Sequence, residues 1–221
     1  DSGASHIDVA LREGGQSLIV VTDDGCGMTR EQLVLAVERH CTSKLPGDDL
    51  MAIDTLGFRG EALPSIGAVA RLILTCRVPG AAEAWSLSVD GGAKGEPVPA
   101  ALSMGTRVEV RDLFYATPAR LKFMKVPRTE RDQAVDAVKR LAMAHPTVSF
   151  ALSEDDRSIL RFNSAPLSDP FEERLNRLSA VLGRDFADNA LPIEAERAGV
   201  RLTGFAGLPT LNRPTAREQY L

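Results

Sequence analysis

Two glycine-bearing stretches decide the fold of this chain: Gly57-Phe58-Arg59-Gly60-Glu61-Ala62-Leu63 and Asp23-Asp24-Gly25-Cys26-Gly27. Each lies between a hydrophobic run and a segment with helical spacing. Glycine permits positive φ and lets backbone approach a ligand closely. Free amides at the start of a helix attract anions such as phosphate. One such loop is weak evidence, but two loops that both carry charged side chains indicate a nucleotide site.

The composition of the 221-residue chain is that of a soluble globular protein, with 44% hydrophobic and 25% charged residues. No apolar run approaches the length of a membrane span, and no charged leader opens the chain, so we expect a cytoplasmic protein without membrane association. The net charge of −4 argues against a free-standing, generally basic nucleic-acid binder. Cys26, Cys41 and Cys76 form no CxxC pair, and we expect free thiols in a reducing compartment.

Hydrophobic patterns in the first half predict strands at residues 6–11, 17–22, 72–76, 85–89 and 106–112. The first two are close enough in sequence to form a hairpin. Thr29 and Gln32 have the spacing of a capping box, which predicts the start of a helix. Residues 42–55 show little periodicity, and a long irregular segment of this kind is often a functional lid.

Alternation along residues 106–112 is typical of a half-buried strand: valines at 108 and 110 face the core, and Arg107, Glu109 and Arg111 face solvent. A composition shift at Thr117 predicts a boundary between two domains, residues 1–117 and 118–221. The second half predicts a helix capped by Thr129 and strands at 148–152, 159–162 and 200–205. It also predicts a helix that Asp169 caps and Gly183 ends.

The chemistry of the first loop suits a purine base. The Asp23 carboxylate can accept a hydrogen bond from an exocyclic amine such as that of adenine, and Gly25 and Gly27 leave room for a flat ring. The alternative is an ordinary glycine-rich turn with solvated aspartates. The residues of the loop do not decide between these two interpretations.

The second loop lacks the spacing of a P-loop or of a Rossmann turn. Arg59 can still bind phosphate oxygens, and Glu61 can hold the loop by pairing with a base or capping local amides. The alternative for this pair is a surface ion pair worth at most about 1 kcal/mol. The segment Thr42-Ser43-Lys44 offers two hydroxyls and an ammonium to a phosphate or ion, and the alternative is a solvated loop. His40 lies beside that segment, but no nucleophile–histidine–acid arrangement accompanies it in the sequence.

Taken in order, five stretches resemble the amino-terminal ATPase region of the MutL family of DNA mismatch-repair proteins. They are DDGCGM at 23–28, RHCTSK at 39–44, GFRGEAL at 57–63, GT at 105–106 and DLFYATPAR at 112–120. The resemblance spans nearly the whole chain, and GFRGEAL and DLFYxTPAR are its specific parts. The related gyrase, heat-shock chaperone and histidine-kinase ATPases share the DxGxG pattern but differ at the second site.

The resemblance implies an α/β (α+β) chain: a Bergerat-type two-layer ATPase sandwich over residues 1–117, then a smaller ribosomal-protein-type α/β domain over residues 118–221. The second domain would act as transducer and face DNA. ATP and Mg²⁺ are the implied cofactors, with adenine at Asp23 and the triphosphate under the lid. The implied nucleotide-binding residues are Asp23, Gly25, Gly27, Thr42, Ser43, Lys44, Gly57, Phe58, Arg59, Gly60, Glu61, Ala62, Leu63 and Thr106.

The family's general-base glutamate and magnesium-binding asparagine match positions upstream of residue 1, so no catalytic or metal-binding residue is assigned within the chain. We expect a fragment that lacks the amino-terminal helix and the carboxy-terminal end of the family's region, and that hydrolyses ATP poorly. The resemblance implies an ATP-gated homodimeric clamp on DNA that works with a mismatch-recognition protein and other repair factors. The alternatives are a non-hydrolysing DNA-binding scaffold and another ATPase of the same superfamily.

Residues 120–128 carry four basic side chains and no acid. The resemblance matches Lys122, Lys125 and Arg140 to DNA-contacting positions of the family. Phe123 and Met124 are expected to pack inward rather than to stack on bases. Binding through phosphates is non-specific and salt-dependent, and two subunits would have to combine their patches. The alternative is a solvated basic face.

Overall fold

The computed structural model describes residues 1–44, 55–164, 169–211 and 220. The chain forms two compact units, Asp1–Val135 with Phe150–Arg161 and Asp136–Ser149 with Phe162–Leu221. The domain boundary near residue 117 stays a prediction. Within the described ranges, no helix combines the length and the apolar character needed to cross a membrane.

The first unit is built on a sheet whose first seven strands pair antiparallel. Its strands are β1 (His6–Arg12), β2 (Leu18–Asp23), β3 (Arg71–Arg77), β4 (Ala84–Asp90), β5 (Ala93–Lys94), β6 (Val98–Ala100), β7 (Gly105–Arg111), β8 (Ser149–Glu154) and β9 (Arg157–Phe162). Their order is β5-β4-β3-β7-β2-β1-β8-β9, and β6 pairs with β4. All five strands predicted in the first half are present. The predicted hairpin is confirmed, since β1 pairs antiparallel with β2.

The described helices between residues 30 and 144 are α1 (Arg30–Ala36), α2 (Ala62–Gly67), α3 (Pro118–Leu121) and α4 (Pro127–Ala144). The capping box of α1 is confirmed: the Gln32 amide donates to Thr29 Oγ1 at 3.3 Å, and the Thr29 amide donates to Gln32 Oε1 at 2.9 Å. Leu33 and Val37 then bury their side chains against Leu72 and Leu74 of β3. The chain is therefore of the predicted α/β class, with helices packed on the sheet.

One prediction about strand β7 is wrong. Glu109 was expected to face solvent, but only 8% of its surface is exposed. Arg107 Nη2 lies 3.0 Å from Glu109 Oε2, and Arg111 Nε lies 2.5 Å from Oε1. Burial disfavours the charged carboxylate, but the hydrogen bonds from Arg107 and Arg111 outweigh burial and lower the pKa of Glu109. Two flanking arginines thus compensate a buried negative charge.

The second unit contains α5 (Pro170–Leu182), α6 (Arg184–Asp188), β10 (Ala190–Arg197) and β11 (Val200–Gly207), besides the second part of α4. The predicted cap of α5 is confirmed, because Asp169 Oδ1 accepts a hydrogen bond from the Phe171 amide at 2.8 Å. Gly183 ends the helix as predicted, with φ of 97° and ψ of 161°. Helix α4 begins at Pro127, two residues before the predicted cap at Thr129.

Arg177 of α5 holds the second unit together from inside. Only 4% of the residue is exposed, and its guanidinium donates to main-chain carbonyls at 2.8 Å (Pro146), 2.8 Å (Val148), 3.2 Å (Asn163) and 3.4 Å (Ala142). Burial lowers the pKa of Arg177, and the charge of Glu173 works in the opposite direction. These bonds fasten α5 to the end of α4 and to the segments that flank strands β8 and β9.

Candidate nucleotide site

Asp23, the predicted adenine contact, is the last residue of β2. Its cross-strand partners are Ile7 on β1 and Thr106 on β7. Asp23 Oδ1 accepts a hydrogen bond from the Gly25 amide at 2.9 Å, and within the described ranges no residue donates to its other carboxylate oxygen. One oxygen of this half-buried carboxylate therefore has no donor among the described residues, and Thr106 lies opposite Asp23 in the sheet.

The glycines near Asp23 are required by close approach of the chain to itself. Gly27 has φ of +63°, and a Cβ there would lie 2.3 Å from the carbonyl oxygen of Arg77. Gly105 has φ of +82°, and a Cβ there would lie 2.0 Å from the carbonyl oxygen of Asp23. Both positions combine left-handed backbone with a clash that a side chain cannot avoid. The predicted room for a flat ring at Gly25 and Gly27 stays a prediction.

The second glycine loop lies against the segment that carries Thr42, Ser43 and Lys44. Gly60 has φ of +61°, and a Cβ there would lie 2.2 Å from the carbonyl oxygen of Cys41. A Cβ at Gly57 would lie 3.6 Å from Lys44 Nζ. Two motifs that are separate in sequence are therefore neighbours in the fold. Between them, residues 45–54 of the predicted lid lie outside the described residues.

The first two residues connect both loops. Asp1 accepts a hydrogen bond from the Leu56 amide at 3.3 Å, and its carboxylate lies 2.6 Å from Lys44 Nζ. On the other side, the Cys26 amide donates to the Ser2 carbonyl at 3.0 Å. The Asp23–Gly27 loop and the Lys44 segment are thus both held by the same short stretch of chain.

Glu61 pairs with His40, not with an arginine of its own loop. The distance from His40 Nδ1 to Glu61 Oε1 is 3.4 Å, and both side chains are exposed. Arg59 lies over the ring of Phe58, with its guanidinium carbon 5.1 Å from the ring centre. The exposed contact between His40 and Glu61 fits a surface ion pair as well as a role in holding the loop, so the role of Glu61 stays a prediction. Ala62 and Leu63 begin helix α2 directly after it.

A cluster that sequence reasoning missed lies beside the first loop. Asp24 Oδ1 accepts from the amides of Ser5 (2.7 Å) and His6 (2.9 Å), and Oδ2 accepts from Ser5 Oγ at 2.6 Å. Burial opposes the charged form, but these hydrogen bonds and the His6 ring hold the pKa of Asp24 far below its usual range. Ser5 and Asp24 both contact Nδ1 of His6. One nitrogen cannot relay a proton between them, so the cluster is a structural clamp.

In the part of the chain that the structure describes, no three His, Cys, Asp or Glu side chains come together to hold a metal. A cavity of about 470 Å³ on the first unit is lined by Arg12, Arg107, Arg161, Asp8 and Asp156, among others, and by none of the predicted nucleotide residues.

Residues 120–128 form an exposed basic surface in the first unit. Lys122 and Lys125 are exposed, and neither has an ion pair with any described residue. Phe123 contradicts the expectation that it packs inward, because 82% of it is exposed. Arg140, the third predicted DNA contact, belongs to the second unit, where it pairs with Asp136 at 3.0 Å and lies over the Tyr220 ring.

Comparison with solved structures shows the fold class of the protein. The structure superposes on the Aquifex aeolicus MutL ATPase domain complexed with ADP with a TM-score of 0.71 and 26% identity, covering 94% of this chain and 70% of that one. The crystal structure of an amino-terminal domain of a DNA repair protein matches in fold, with a TM-score of 0.70 at 21% identity over 93% of this chain and 62% of that one. The chain thus has the α/β fold of MutL-type ATPase domains.

The particular family follows from the sequences. The chain is 64% identical over all 221 residues to DNA mismatch repair protein MutL of Rhodospirillum rubrum and 63% identical to that of Paramagnetospirillum magneticum. It covers 35% and 36% of those proteins. No protein-family model matches the chain. The chain belongs to the MutL family, corresponds to its amino-terminal ATPase region, and spans about a third of the length of these relatives.

Proposed function

We propose that this chain is the nucleotide-binding part of a DNA-clamping mismatch-repair ATPase. The observation that carries the proposal is the contact between the two separated motifs, in which Gly60 lies against Cys41 and Gly57 lies near Lys44. That contact gathers a cation, hydroxyls and glycine-rich backbone in one place. Such a combination suits a polyphosphate, and the Aquifex aeolicus relative is complexed with ADP.

In this proposal Asp23 selects adenine. The Gly25 amide already occupies one carboxylate oxygen, so the other can accept from the adenine amine. Guanine carries a carbonyl oxygen in place of that amine and would face the carboxylate with an acceptor. Thr106, opposite Asp23 on β7, is close enough in the sheet to contact the same base. The specificity of the site therefore rests on a single acceptor.

The triphosphate would bind Lys44, Arg59 and the amides of the second glycine loop. Lys44 is paired with Asp1 at 2.6 Å, and its side chain is 40% exposed. A pair this accessible to water is worth at most about 1 kcal/mol. A polyphosphate carries several charges and can replace Asp1 as the partner of Lys44. Nucleotide binding would then release the Lys44 segment from Asp1.

Hydrolysis needs a base that activates water against the γ-phosphate. The resemblance matches this glutamate, and the asparagine that holds Mg²⁺, to positions upstream of residue 1. Mg²⁺ would neutralise charge on the phosphates, and the described residues of this chain are assigned no part in holding it. A polypeptide limited to residues 1–221 is therefore expected to turn over slowly.

Binding of ATP would drive two copies together into a clamp on DNA, and hydrolysis would reopen it. Lys122, Lys125 and Arg140 would contact phosphates. The partners of the clamp would be a mismatch-recognition protein and other repair factors in the cytoplasm. The net charge of −4 favours binding by paired subunits over binding by one.

Steady-state phosphate release tests the enzymatic part of the proposal. Residues 1–221 are compared at saturating ATP with the full-length protein and with a full-length variant whose upstream glutamate is replaced by alanine. The proposal expects turnover only in the unmodified full-length protein. Equal turnover in all three polypeptides would contradict the assignment of the base. Turnover in none of them, with ATP binding intact, would favour the non-hydrolysing scaffold.

A further inference from the structure

Phe123 is the most exposed large hydrophobic residue of the described chain, with 82% of its surface accessible. It is held on an ordered turn: its amide donates to the Arg120 carbonyl at 3.0 Å, and the Met124 amide donates to the Leu121 carbonyl at 3.1 Å. The next residue, Lys125, is fixed through its main chain, since its amide donates to Glu130 at 2.7 Å. Its carbonyl accepts from Gln16 at 2.9 Å. The backbone that carries the exposed Phe123 ring is therefore held in place by hydrogen bonds.

Basic side chains surround this aromatic residue in sequence. Arg120, Lys122, Lys125 and Arg128 are all exposed, and residues 120–128 contain no acid. None of the four has an ion pair with a described residue. Exposed cations favour a polyanion, and an exposed aromatic face favours a flat ring. Single-stranded nucleic acid offers both in alternation, and proteins bind it by a basic path with aromatic stacking platforms.

Duplex DNA offers the phosphates without the free ring faces. Each interior base is stacked on both sides, so a ring could enter only after unstacking, which costs a few kcal/mol per step. Phe123 would thus add little to duplex binding and much to binding of an unpaired strand. A basic surface that served phosphates alone would have no use for an exposed phenyl ring, whose exposure is unfavourable in water.

We propose that Phe123 stacks on an unpaired base and gives the surface formed by residues 120–128 a preference for single-stranded over duplex DNA. This inference rests on the proposed function, in which Lys122 and Lys125 contact DNA phosphates. It adds a residue that recognises whether bases are paired. The preference comes from stacking, so it is independent of base sequence.

Fluorescence anisotropy with full-length protein and an ATP analogue tests the inference. The probes are a 30-nucleotide dT strand and a 30-base-pair duplex, at equal salt. Phe123→Ala is expected to weaken binding of the single strand by about 5- to 100-fold, the range that the loss of one stacked base gives, and to change duplex binding less than about 2-fold. Phe123→Trp is expected to retain the preference. Leu121→Ala, which removes an exposed apolar residue of the same segment, is the control and should change neither affinity.

A direct readout completes the test. With 2-aminopurine in the strand, binding of the unmodified protein should quench the base fluorescence, and Phe123→Ala should lose that quenching. Equal losses on strand and duplex, or no loss on either, would overturn the stacking role. If the unmodified protein binds neither the single strand nor the duplex, the proposed DNA-binding function itself is overturned. The two failures are therefore distinguishable.

Discussion

Asp23 on β2 and Thr106 on β7 face each other across neighbouring antiparallel strands. Gly105, which precedes Thr106, packs so closely on the Asp23 carbonyl that a Cβ at Gly105 would lie 2.0 Å from the carbonyl oxygen. The position of the candidate adenine acceptor is therefore set by sheet register and not by a flexible loop. Any change that shifts β2 against β7 should disturb nucleotide binding before it unfolds the protein.

Gly60→Ala should separate the second glycine loop from the Lys44 segment. The added Cβ meets the Cys41 carbonyl at 2.2 Å and also stands on left-handed backbone. Gly80→Ala is the matched control, because Gly80 has φ of +79° but open space around it. We expect Gly80→Ala to cost about 1–2 kcal/mol from backbone strain alone. Gly60→Ala should cost clearly more and also reduce ATP affinity at least tenfold. Urea unfolding and calorimetric titration measure both quantities.

Glu109→Gln should change the pH dependence of stability. The folded pKa of Glu109 lies below its unfolded value. Its charged form therefore stabilises fully above the ordinary glutamate pKa of 4.5. That contribution disappears as pH falls through the folded pKa. The variant should be less stable by about 1–3 kcal/mol at pH 7.

The difference between Glu109→Gln and the unmodified protein should shrink as the pH is lowered from 5 toward 3. Glu96→Gln, at an exposed position, serves as the control and should follow the unmodified protein. Urea unfolding at each pH provides the free energies. A difference that stays constant over this pH range would show that the charge of Glu109 does not contribute.

Arg177→Met should destabilise the second unit. The change removes the side-chain donor of four hydrogen bonds to main-chain carbonyls. We expect a loss of about 1–3 kcal/mol, the cost of leaving such acceptors without a partner. Arg184→Met, on exposed surface at the start of α6, should stay within about 0.5 kcal/mol. Equal losses in the two variants by chemical denaturation would contradict the role of Arg177.

Lys122→Glu with Lys125→Glu should weaken duplex binding and flatten its salt dependence. Loss of two phosphate contacts lowers the slope of log affinity against log salt by about 1.8. Arg157→Glu with Arg197→Glu makes the same change in net charge at two exposed positions outside the surface. A salt titration in which both double variants behave alike would mean that residues 120–128 have no special part in binding.

The sequence predicts the elements whose patterns are local. The β-branched run of β2, the capping box of Thr29 and Gln32, and the Asp169 cap all depend on near neighbours, and all are observed. Chemistry that depends on distant partners is not predictable in this way. The burial of Glu109 is also missed: strand alternation predicts that it faces solvent, whereas it is buried and paired with Arg107 and Arg111 of its own strand. The Asp24 clamp needs Ser5 and His6, which contact Asp24 in the fold but precede it by 19 and 18 residues in the sequence.

At the candidate site, too, the local motifs are predictable from the sequence and the contacts between distant residues are not. The motifs predict which residues matter, and only the fold brings Gly60 to Cys41 and Gly57 to Lys44. Phe123 was expected inside because aromatic residues are usually buried. Its exposure follows from the short turn between α3 and α4, which is pinned at Lys125 and Glu130. No pattern in a nine-residue segment of alternating basic and apolar side chains predicts that outcome.

The central claim, that Asp23 is the adenine acceptor of an ATP site, is tested most directly by calorimetric titration of full-length protein with a non-hydrolysable ATP analogue and its GTP counterpart. The account predicts binding of the ATP analogue, much weaker binding of the GTP analogue, and a loss of about 1–3 kcal/mol for the ATP analogue in Asp23→Ala. Asp8→Ala, on exposed surface of the neighbouring strand, should bind like the unmodified protein. Equal binding of both analogues, or unchanged ATP-analogue binding by a folded Asp23→Ala, would contradict the account.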